Sequence, residues 1–504
     1  MSLLKPNNLI FSLVLVTSLV FIHCSKETNE NALPVSNSGN VDNTNIDLEG
    51  NLQVSDFVWR GLNEFYYWQD KVEDLSDEKL TDETAYAKYI SDNSDPKKFF
   101  KSLKHSEDRF SWIEDDYRVL ENTLQGIIAS NGVEFGLLYA CRNCNELIGF
   151  VKYILKDSDA EGKNIKRGDL FTGVDGNILT AGNYRSLLFG NNLNYSLNMA
   201  SASSGAIYNT GVEVELTKEE NFEINPIQIS KVIDMNEIGQ VNNAKVGYLM
   251  YNQFVADKSD DLNDIFGLFN NKNINDLIID LRYNGGGSVK NCVELASMIT
   301  GQFNSEIFAK EIWNQKLLTY LEERFGSESL INRFVDKLGN EELINSLKFN
   351  KVYIITSSES ASASELLING LASYIEVIQV GEKTIGKNVG SITVYDYIDN
   401  EQTKNPEHTY AMQPIVLKIA NSEGYADYSD GLEPSTMVEE DIRNLGILGD
   451  PTESLLATTL NLISGTGKFK IPKAELNKKF LVKDPSMLKK QKMYVEKKQL
   501  FYNR

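Results

Sequence analysis

The 504-residue sequence is short of positive charge, and this shortage limits the partners that it can bind. Lys and Arg number 50 against 71 Asp and Glu, which gives a formal net charge of −21. Because neutralising phosphates requires a surplus of basic side chains, the composition argues against nucleic acid as a general partner. The 41% hydrophobic and 24% charged content is that of a globular protein, and the length predicts roughly three domains.

Histidine is also scarce. His23 lies at the end of an apolar run, and His105 and His408 lie in polar, loop-like surroundings. These three residues do not indicate a histidine-based catalytic triad. The Asp and Glu residues are scattered without the spacing of metal ligands. We therefore expect neither a metal site nor a cofactor.

The four cysteines include one C-x-x-C pair, formed by Cys141 and Cys144. Such a pair can indicate redox chemistry or half a zinc site, but no second pair follows and no thioredoxin-like βαβ pattern surrounds it. We favour a loop between two strands, closed by a local disulfide in an oxidising compartment. Redox or metal chemistry is the alternative. Cys292 resembles a small apolar residue buried on a helix.

The apolar run over residues 9–22 predicts a signal peptide rather than a membrane span, because it is short and N-terminal. It ends at Cys24, which resembles the lipidated Cys of a bacterial lipobox, although His23 stands where Gly or Ala is usual. We expect a protein anchored by lipid at Cys24 in the bacterial cell envelope, periplasmic or associated with the outer membrane. A simple secretory signal and a buried N-terminal helix are the alternatives.

Changes in composition and periodicity divide the rest of the chain. A polar stretch predicts disorder, aromatic residues three and four apart predict helices, and a later alternation of strands and helices predicts an α/β fold. The predicted segments are a signal peptide (1–23), a disordered tether (24–51), an N-terminal helical domain (52–124), a β-rich domain (125–224), an α/β domain (225–450) and a basic C-terminal segment (451–504).

Residues 165–176, Ile-Lys-Arg-Gly-Asp-Leu-Phe-Thr-Gly-Val-Asp-Gly, resemble the core of a protease-associated PDZ domain. The resemblance implies that the β-rich domain binds extended peptides as an added strand at an open sheet edge. Ordinary hairpin turns are the alternative.

The last residues, 468–504, are rich in lysine. Twelve Lys and Arg stand there against three Asp and Glu. We expect a solvated basic tail or helix. Binding to anionic lipid or to the acidic body of the protein is the alternative.

Two strand-to-helix junctions carry the chemical signal. Residues 280–287, Asp-Leu-Arg-Tyr-Asn-Gly-Gly-Gly, end a hydrophobic strand in a glycine turn whose N–H groups can stabilise an oxyanion. Residues 358–365, Ser-Glu-Ser-Ala-Ser-Ala-Ser-Glu, place a serine at the start of a helix. Glu365, one turn into that helix, is expected to cap it.

A lysine completes the pattern. Lys387 closes the segment Gly-Glu-Lys-Thr-Ile-Gly-Lys over residues 381–387, 25 positions after Ser362. The segment also resembles a P-loop, but Asn388 stands where Ser or Thr would hold magnesium, and a strand rather than a helix is predicted next.

These three motifs, in this order and spacing, resemble the C-terminal processing peptidases, or tail-specific proteases, which cut with a Ser–Lys dyad. The resemblance implies an α+β multidomain protein with an N-terminal helical module, a PDZ-like β-rich domain and an α/β serine peptidase core of the crotonase/ClpP-like type. The implied site residues are Ser362 as nucleophile, Lys387 as general base, the N–H groups of Gly286 and Ala363 as oxyanion hole, and Ser391 where relatives carry a Gln that orients the lysine.

The resemblance leaves alternatives open. Ser360 and Ser364 flank the implied nucleophile and are the other candidates. We expect a serine endopeptidase that cuts extended protein or peptide substrates near exposed C-termini. A catalytically weak or inactive peptide- or lipid-binding lipoprotein on the same scaffold is the alternative, because Ser391 and Ser373 stand where relatives often carry Gln and Asp.

Overall fold

The computed structural model describes residues 49–203, 206–239, 244–399, 401–465, 481–482 and 484–495. The predicted signal peptide, Cys24 and nearly all of the predicted tether lie outside these residues. Among the described residues, no helix combines the length and the apolar character needed to cross a bilayer.

The N-terminal part is helical and is built around aromatic side chains. Its elements are α1 (Asn51–Phe65), three 3-10 turns (Gln69–Lys71, Glu73–Leu75, Asp77–Thr81), α2 (Glu83–Asp92), α3 (Pro96–Ser102), β1 (Trp112–Glu114) and α4 (Tyr117–Leu124). Phe57, Trp59 and Tyr66 are fully buried, so the aromatic spacing does mark core packing. Asp95 caps α3 through the N–H of Lys98, and Pro96 occupies the first helical turn.

The next part, which we call the small sheet domain, is antiparallel. Its elements are β2 (Ile127–Ser130), β3 (Val133–Tyr139), β4 (Leu147–Ile154), β5 (Leu170–Val174), β6 (Asn177–Ile178), α5 (Tyr184–Phe189), β7 (Asn194–Ser203), β8 (Ala206–Thr217) and β9 (Glu219–Glu223). The main sheet has the order β3-β4-β5-β7-β8, with β3 at one edge. Cys141 and Cys144 form a disulfide between β3 and β4, which confirms the predicted local bond.

The remaining chain forms a core of two six-stranded sheets. Its first half contains β10 (Ile227–Asp234), β11 (Lys245–Tyr251), α6 (Ser259–Lys272), β12 (Asp276–Asp280), β13 (Gly286–Ser288), α7 (Val289–Thr300), β14 (Ile307–Trp313), α8 (Gln315–Phe325) and β15 (Ile331–Arg333). Its second half contains β16 (Lys351–Thr356), α9 (Ala363–Ala372), β17 (Glu376–Gly381), β18 (Val389–Ser391), β19 (Val394–Tyr395), β20 (Ala411–Gln413), β21 (Ile415–Asn421), β22 (Thr436–Met437), α10 (Ser454–Ser464), α11 (Met487–Lys490) and β23 (Lys492–Tyr494).

The first core sheet has the order β10-β11-β12-β16-β17-β22 and is parallel from β11 onward. Its central strands are nearly continuous apolar runs, as expected for parallel strands that are covered on both faces. Helix α10 packs on this sheet, with Leu455, Leu456 and Leu460 in the same buried cluster as Ile278 and Ile355. A helix from the predicted C-terminal segment is therefore part of the core.

The second core sheet has the order β13-β23-β18-β21-β14-β15. A smaller sheet, β1-β20-β19, joins the N-terminal part to the core. Strand β23 comes from the end of the chain and lies between two strands that follow the predicted chemical motifs. The carboxyl ends of β12 and β16 lead into the glycine turn and the serine turn, which places both turns at one edge of the parallel sheet.

Candidate active site

Ser362 is the residue that begins helix α9, directly after the turn that follows β16. Its backbone has φ 67° and ψ −116°, a conformation that is strained for a residue with a side chain. Such a turn directs a side chain away from both the strand and the helix. Ser362 is also fully buried, because other parts of the chain cover it.

The hydroxyl groups of the serine motif differ in their partners. Ser360 Oγ donates to Leu281 O at 2.8 Å, and Ser364 Oγ donates to Asn284 O at 2.9 Å. Within the described part of the chain, the buried Ser362 Oγ has no hydrogen-bond partner. A nucleophile needs a hydroxyl that is not already committed, so the geometry favours Ser362 over its neighbours.

Lys387 lies in the loop between β17 and β18 and is 2% exposed. Burial lowers its pKa from the ordinary value to about 7, against the opposing effect of the Asp108 and Glu365 carboxylates. The ammonium group lies 5.0 Å from the ring centre of Phe110. It donates a 2.6 Å hydrogen bond to Gln491 O, near the end of the chain. A lysine with this pKa is partly neutral near pH 7, as a general base must be.

Glu365 connects the serine turn to the lysine loop. One oxygen, Oε2, accepts from Ser362 N at 2.7 Å and from Lys387 N at 2.8 Å. The other, Oε1, accepts from Gly386 N at 2.6 Å and from Thr384 Oγ1 at 2.5 Å. Burial raises the pKa of Glu365, and these hydrogen bonds oppose that effect. The expected capping contact to Ser362 N is present, and the carboxylate also fixes the lysine loop, which the sequence did not indicate.

The two groups implied for the oxyanion hole lie beside Ser362. Ala363 is the first residue of α9, where backbone N–H groups have no partner within the helix. Gly286 has φ 105°, and a Cβ built there would lie 2.6 Å from Ser362 Cβ. Its N–H donates to Asn284 Oδ1 at 2.8 Å. This N–H must leave the Asn284 side chain before it can serve an oxyanion.

Ser391 lies at the end of β18, across the cleft from Gly286. Its Oγ donates to Met493 O at 3.1 Å. In this structure Ser391 therefore contacts β23, and its hydroxyl is not directed to Lys387.

Strand β23 fills the space between the glycine turn and the lysine loop. It pairs in parallel with β13, Gly286 opposite Lys492, and with β18, Ser391 opposite Tyr494. The expectation of a solvated basic tail is therefore wrong for residues 484–495. That expectation rested on the lysine content, and the lysines here are held by buried carboxylates and carbonyl groups (Lys489 by Glu114, for example).

A buried ion network supports the strand that ends in the glycine turn. Arg282 is fully buried and contacts Asp280 at 2.7 Å, Glu453 at 2.8 Å and Glu440 at 3.0 Å. Neither Glu440 nor Glu453 was singled out from the sequence, because their partner lies more than 150 residues away along the chain. The sequence indicates buried charge only at Asp280 and Arg282, which stand at the end of an apolar strand.

The two histidines that the structure describes are engaged elsewhere. His105 stacks on Trp68, and His408 Nε2 lies 2.9 Å from Asp396 Oδ2. Among the described residues, no group of three or more His, Cys, Asp or Glu side chains has the arrangement of a metal site.

Two family models match the chain. The peptidase family S41 model matches residues 245–411, which contain the glycine turn, Ser362 and Lys387, and the peptidase S41 N-terminal domain model matches residues 53–112. Over these two ranges the chain is similar to peptidase family S41. It is therefore a serine-type peptidase by family, and polypeptides are its class of substrate.

Relatives and a solved structure agree with this assignment. A CtpA-like serine protease of Staphylococcus epidermidis is 25% identical over 395 residues, which cover 78% of this chain and 67% of the relative. One of Staphylococcus aureus is 22% identical over 362 residues, which cover 72% of this chain and 63% of the relative. A crystal structure of an S41 protease from Bacteroides fragilis matches with a TM-score of 0.62 and 22% identity, covering 81% of this chain and 97% of that one. At that identity the structural likeness shows the fold alone.

Proposed function

We propose that this S41 peptidase is an endopeptidase in which Ser362 is the nucleophile and Lys387 the general base. The observation that carries the proposal is a buried Ser362 hydroxyl that has no hydrogen-bond partner among the described residues, together with a lysine in the adjoining loop whose pKa burial lowers to about 7. Glu365 holds the backbones of both residues through one carboxylate oxygen. The Ser–Lys pair is a known variant of the catalytic triad.

The reaction would proceed by acyl transfer. The neutral Lys387 amine accepts the Ser362 proton as Oγ attacks the carbonyl carbon, and the N–H groups of Gly286 and Ala363 hold the oxyanion. The C–N bond then breaks, and the Lys387 ammonium gives the proton to the departing amine. Water repeats the sequence on the acyl-serine and releases the carboxylate product. Two present contacts must first break, those from Lys387 Nζ to Gln491 O and from Gly286 N to Asn284 Oδ1.

The small sheet domain is proposed to be a PDZ-like module that presents substrates near their exposed C-termini. Its strand β3 is the outer strand of the main sheet, and the addition of a strand at such an edge is the usual way in which these modules bind extended peptides. Leu187 and Phe189 of α5 pack against the core of this domain next to Phe135 of β3. Apolar side chains that an extended peptide could contact are therefore partly buried near that edge.

The test is hydrolysis of an unfolded reporter polypeptide with an apolar C-terminus. We expect Ser362→Ala and Lys387→Ala to lower the rate by at least about a thousandfold. Ser364→Ala is the matched control, because Asn284 O keeps a hydrogen bond from Ala361 N at 3.1 Å when the Ser364 hydroxyl is removed. Hydrolysis by Ser362→Ala at the parent rate would refute the dyad. Saturable reporter binding without turnover by any of the proteins would favour the non-catalytic lipoprotein.

The proposed location is the bacterial cell envelope, with lipid on Cys24. The proposal rests on the apolar run before Cys24 and on the state of the other cysteines, since Cys141 and Cys144 form a disulfide and Cys292 is buried. Metabolic labelling with an alkyne fatty acid should mark the parent and not Cys24→Ala. Equal labelling of both proteins would contradict the anchor.

A further inference from the structure

Strand β23 occupies the position that a substrate strand would take in the cleft. It lies between β13, which carries Gly286, and β18, which follows Lys387, and it hydrogen-bonds to both. Without it these two strands would be separated by two strand spacings, or about 10 Å, which is the gap that one extended chain fills. The cleft therefore has the width and the backbone groups to take a polypeptide as an added strand.

The backbone of this strand contacts the proposed catalytic groups directly. Lys387 Nζ donates to Gln491 O at 2.6 Å. A Cβ built on Gly286 would lie 2.2 Å from Lys492 O and 2.6 Å from Ser362 Cβ. The peptide groups of Gln491 and Lys492 thus lie at the place where the lysine, the glycine turn and the serine meet.

The same segment also contacts the small sheet domain. Val482 N donates to Leu137 O at 2.9 Å, and Leu481 forms an antiparallel bridge with Leu138 of the edge strand β3. Val482 packs against the buried core of that domain. One stretch of chain therefore occupies both the sheet edge proposed to bind peptides and the cleft proposed to cut them.

Three lysines of the segment contact carboxylate or carbonyl oxygens. Lys490 Nζ lies 2.8 Å from Glu134 Oε2, and Lys489 is paired with Glu114. Both carboxylates are largely buried, with 17% and 11% of their side chains exposed. Lys492 Nζ donates to Thr123 O inside the cleft, where burial and the nearby Lys387 lower the pKa of this amine to about 7. These acceptors are fixed by the N-terminal part and the small sheet domain, so the cleft itself is suited to a lysine-rich strand.

A cavity of about 560 Å³ adjoins this path. Its walls include Phe135 and Phe189 of the small sheet domain, Gly285 of the glycine turn, and Lys489 and Lys490 of the segment. The cavity gives a second chain room to approach while the segment is in place.

We propose that residues 481–495 are a tethered pseudosubstrate, and that the cleft which they fill accepts extended, lysine-rich polypeptide segments as substrates. The proposal rests on the endopeptidase function proposed above. Hydrolysis of another polypeptide then requires displacement of this segment, because Lys387 and Gly286 cannot contact two strands at once.

The test measures binding in the full-length chain carrying Ser362→Ala, so that it does not depend on hydrolysis. The probe is a fluorescent synthetic peptide with the sequence of residues 481–495. Met493→Asp places a charge at a fully buried position and should release the segment. Lys489→Glu with Lys490→Glu is a second, more exposed variant that should do the same by repelling Glu114 and Glu134. Met437→Asp is the matched control, because Met437 is 58% exposed.

We expect both released variants to bind the peptide at least about tenfold more tightly than the Ser362→Ala parent, since a tethered segment competes at a high effective concentration. The control should behave like the parent. A peptide with Glu in place of Lys489, Lys490 and Lys492 should bind the Met493→Asp variant at least about tenfold more weakly.

Each other outcome is decisive. Equal binding to the parent and to both released variants, or no binding to any protein, would overturn the pseudosubstrate. Equal binding of the two peptides would overturn the lysine preference. Failure of the protein with Ser362 intact to hydrolyse the reporter would count against the endopeptidase function alone. The binding measurements would be unaffected, because every one of them uses protein without the Ser362 hydroxyl. Thermal unfolding of each variant checks that it is folded.

Discussion

At the scale of single residues, Glu365 is the centre of the site. Its two oxygens accept three backbone N–H groups and one hydroxyl, from the serine turn and from the lysine loop. A buried carboxyl group that accepts several N–H groups is fixed in position, and it thereby holds both loops in one geometry. The alignment of Ser362 with Lys387 therefore depends on a residue that takes no direct part in the proposed reaction.

The lowered pKa of Lys387 predicts the pH dependence of hydrolysis. Burial favours the neutral amine, so the active form should increase as pH rises through about 7. We expect kcat/KM to increase roughly tenfold from about pH 6 to about pH 8 and to level off above about pH 8. Measuring kcat/KM from pH 5 to pH 9 with a non-ionising reporter tests this expectation.

The stability consequence has the same sign. Between pH values near 7 and the ordinary lysine pKa, the unfolded chain holds a proton that folded Lys387 lacks, so this group's contribution to stability rises with pH.

The control for the pH profile of hydrolysis is Lys387→Arg, which stays protonated and should be inactive across the range. A parent profile that stays flat from pH 5 to pH 9 would argue against lysine as the base.

The sequence predicted which residues form the candidate site better than it predicted the hydrogen bonds that those residues make in this structure. Gly286 lies beside Ser362, and Glu365 hydrogen-bonds to the backbones of Ser362 and Lys387, because the motifs place each one at a strand end of the same core. The hydrogen bonds of Lys387 and Ser391 to β23 could not be predicted, since they depend on a segment more than 100 residues further along the chain. Local pattern carries no information about which distant segment fills a cleft.

At the scale of elements, β13 is a strand made of glycine and serine. Residues with so little side chain are poor strand formers, and its conformation is set by its neighbours. Gly287 has φ 144°, and a Cβ there would lie 1.9 Å from Phe254 O. The close approach of these two backbones positions the glycine turn.

Gly287→Ala should therefore destabilise the protein by at least about 2 kcal/mol, through backbone strain and the clash with Phe254 O. The control is Gly465→Ala, where φ is 66° and ψ is 11° and no atom lies within 4 Å of the added methyl group. That variant should lose about 1 kcal/mol, from the backbone conformation alone. Urea unfolding followed by circular dichroism measures both, and equal losses would show that the close approach carries no cost.

The contrast between strands shows what sequence pattern can resolve. The apolar runs at residues 245–251 and 351–356 predict strands with the bounds that β11 and β16 have. The helix predicted at residues 259–271 ends one residue before the end of α6. Strand β23 has only three residues, one of them lysine, and it is extended because β13 and β18 leave a strand-wide gap. A strand that depends on its partners in this way leaves little trace in its own composition.

At the scale of the whole molecule, buried charges join the parts. Arg282 links the end of β12 to Glu453 of the turn before α10, and Arg167 of the small sheet domain shares Glu440 with it. Tyr283 donates to the same Glu440 carboxylate and stacks on Tyr153 of β4, with ring centres 5.3 Å apart. The glycine turn and the small sheet domain are therefore held by one continuous network.

Removing the central cation should cost more than any single contact suggests. Arg282→Met leaves Asp280 and Glu453 buried without a counter-charge, and we expect a loss of about 3–5 kcal/mol in unfolding free energy. Arg443→Met, at a side chain that is 51% exposed, should change stability by less than about 0.5 kcal/mol. Chemical denaturation of both variants at pH 7 measures the difference. A loss below about 1 kcal/mol for Arg282→Met would mean that water reaches the carboxylates.

Strand β23 is covalently attached to the protein whose cleft it fills, and this attachment affects the time course of hydrolysis. A free inhibitor dissociates when the protein is diluted, but a covalently attached strand remains at the same local concentration at any dilution. Product formation should therefore begin with a delay that lasts until incoming polypeptide replaces the strand. The delay should become shorter as the reporter concentration is raised, and it should not change with the enzyme concentration.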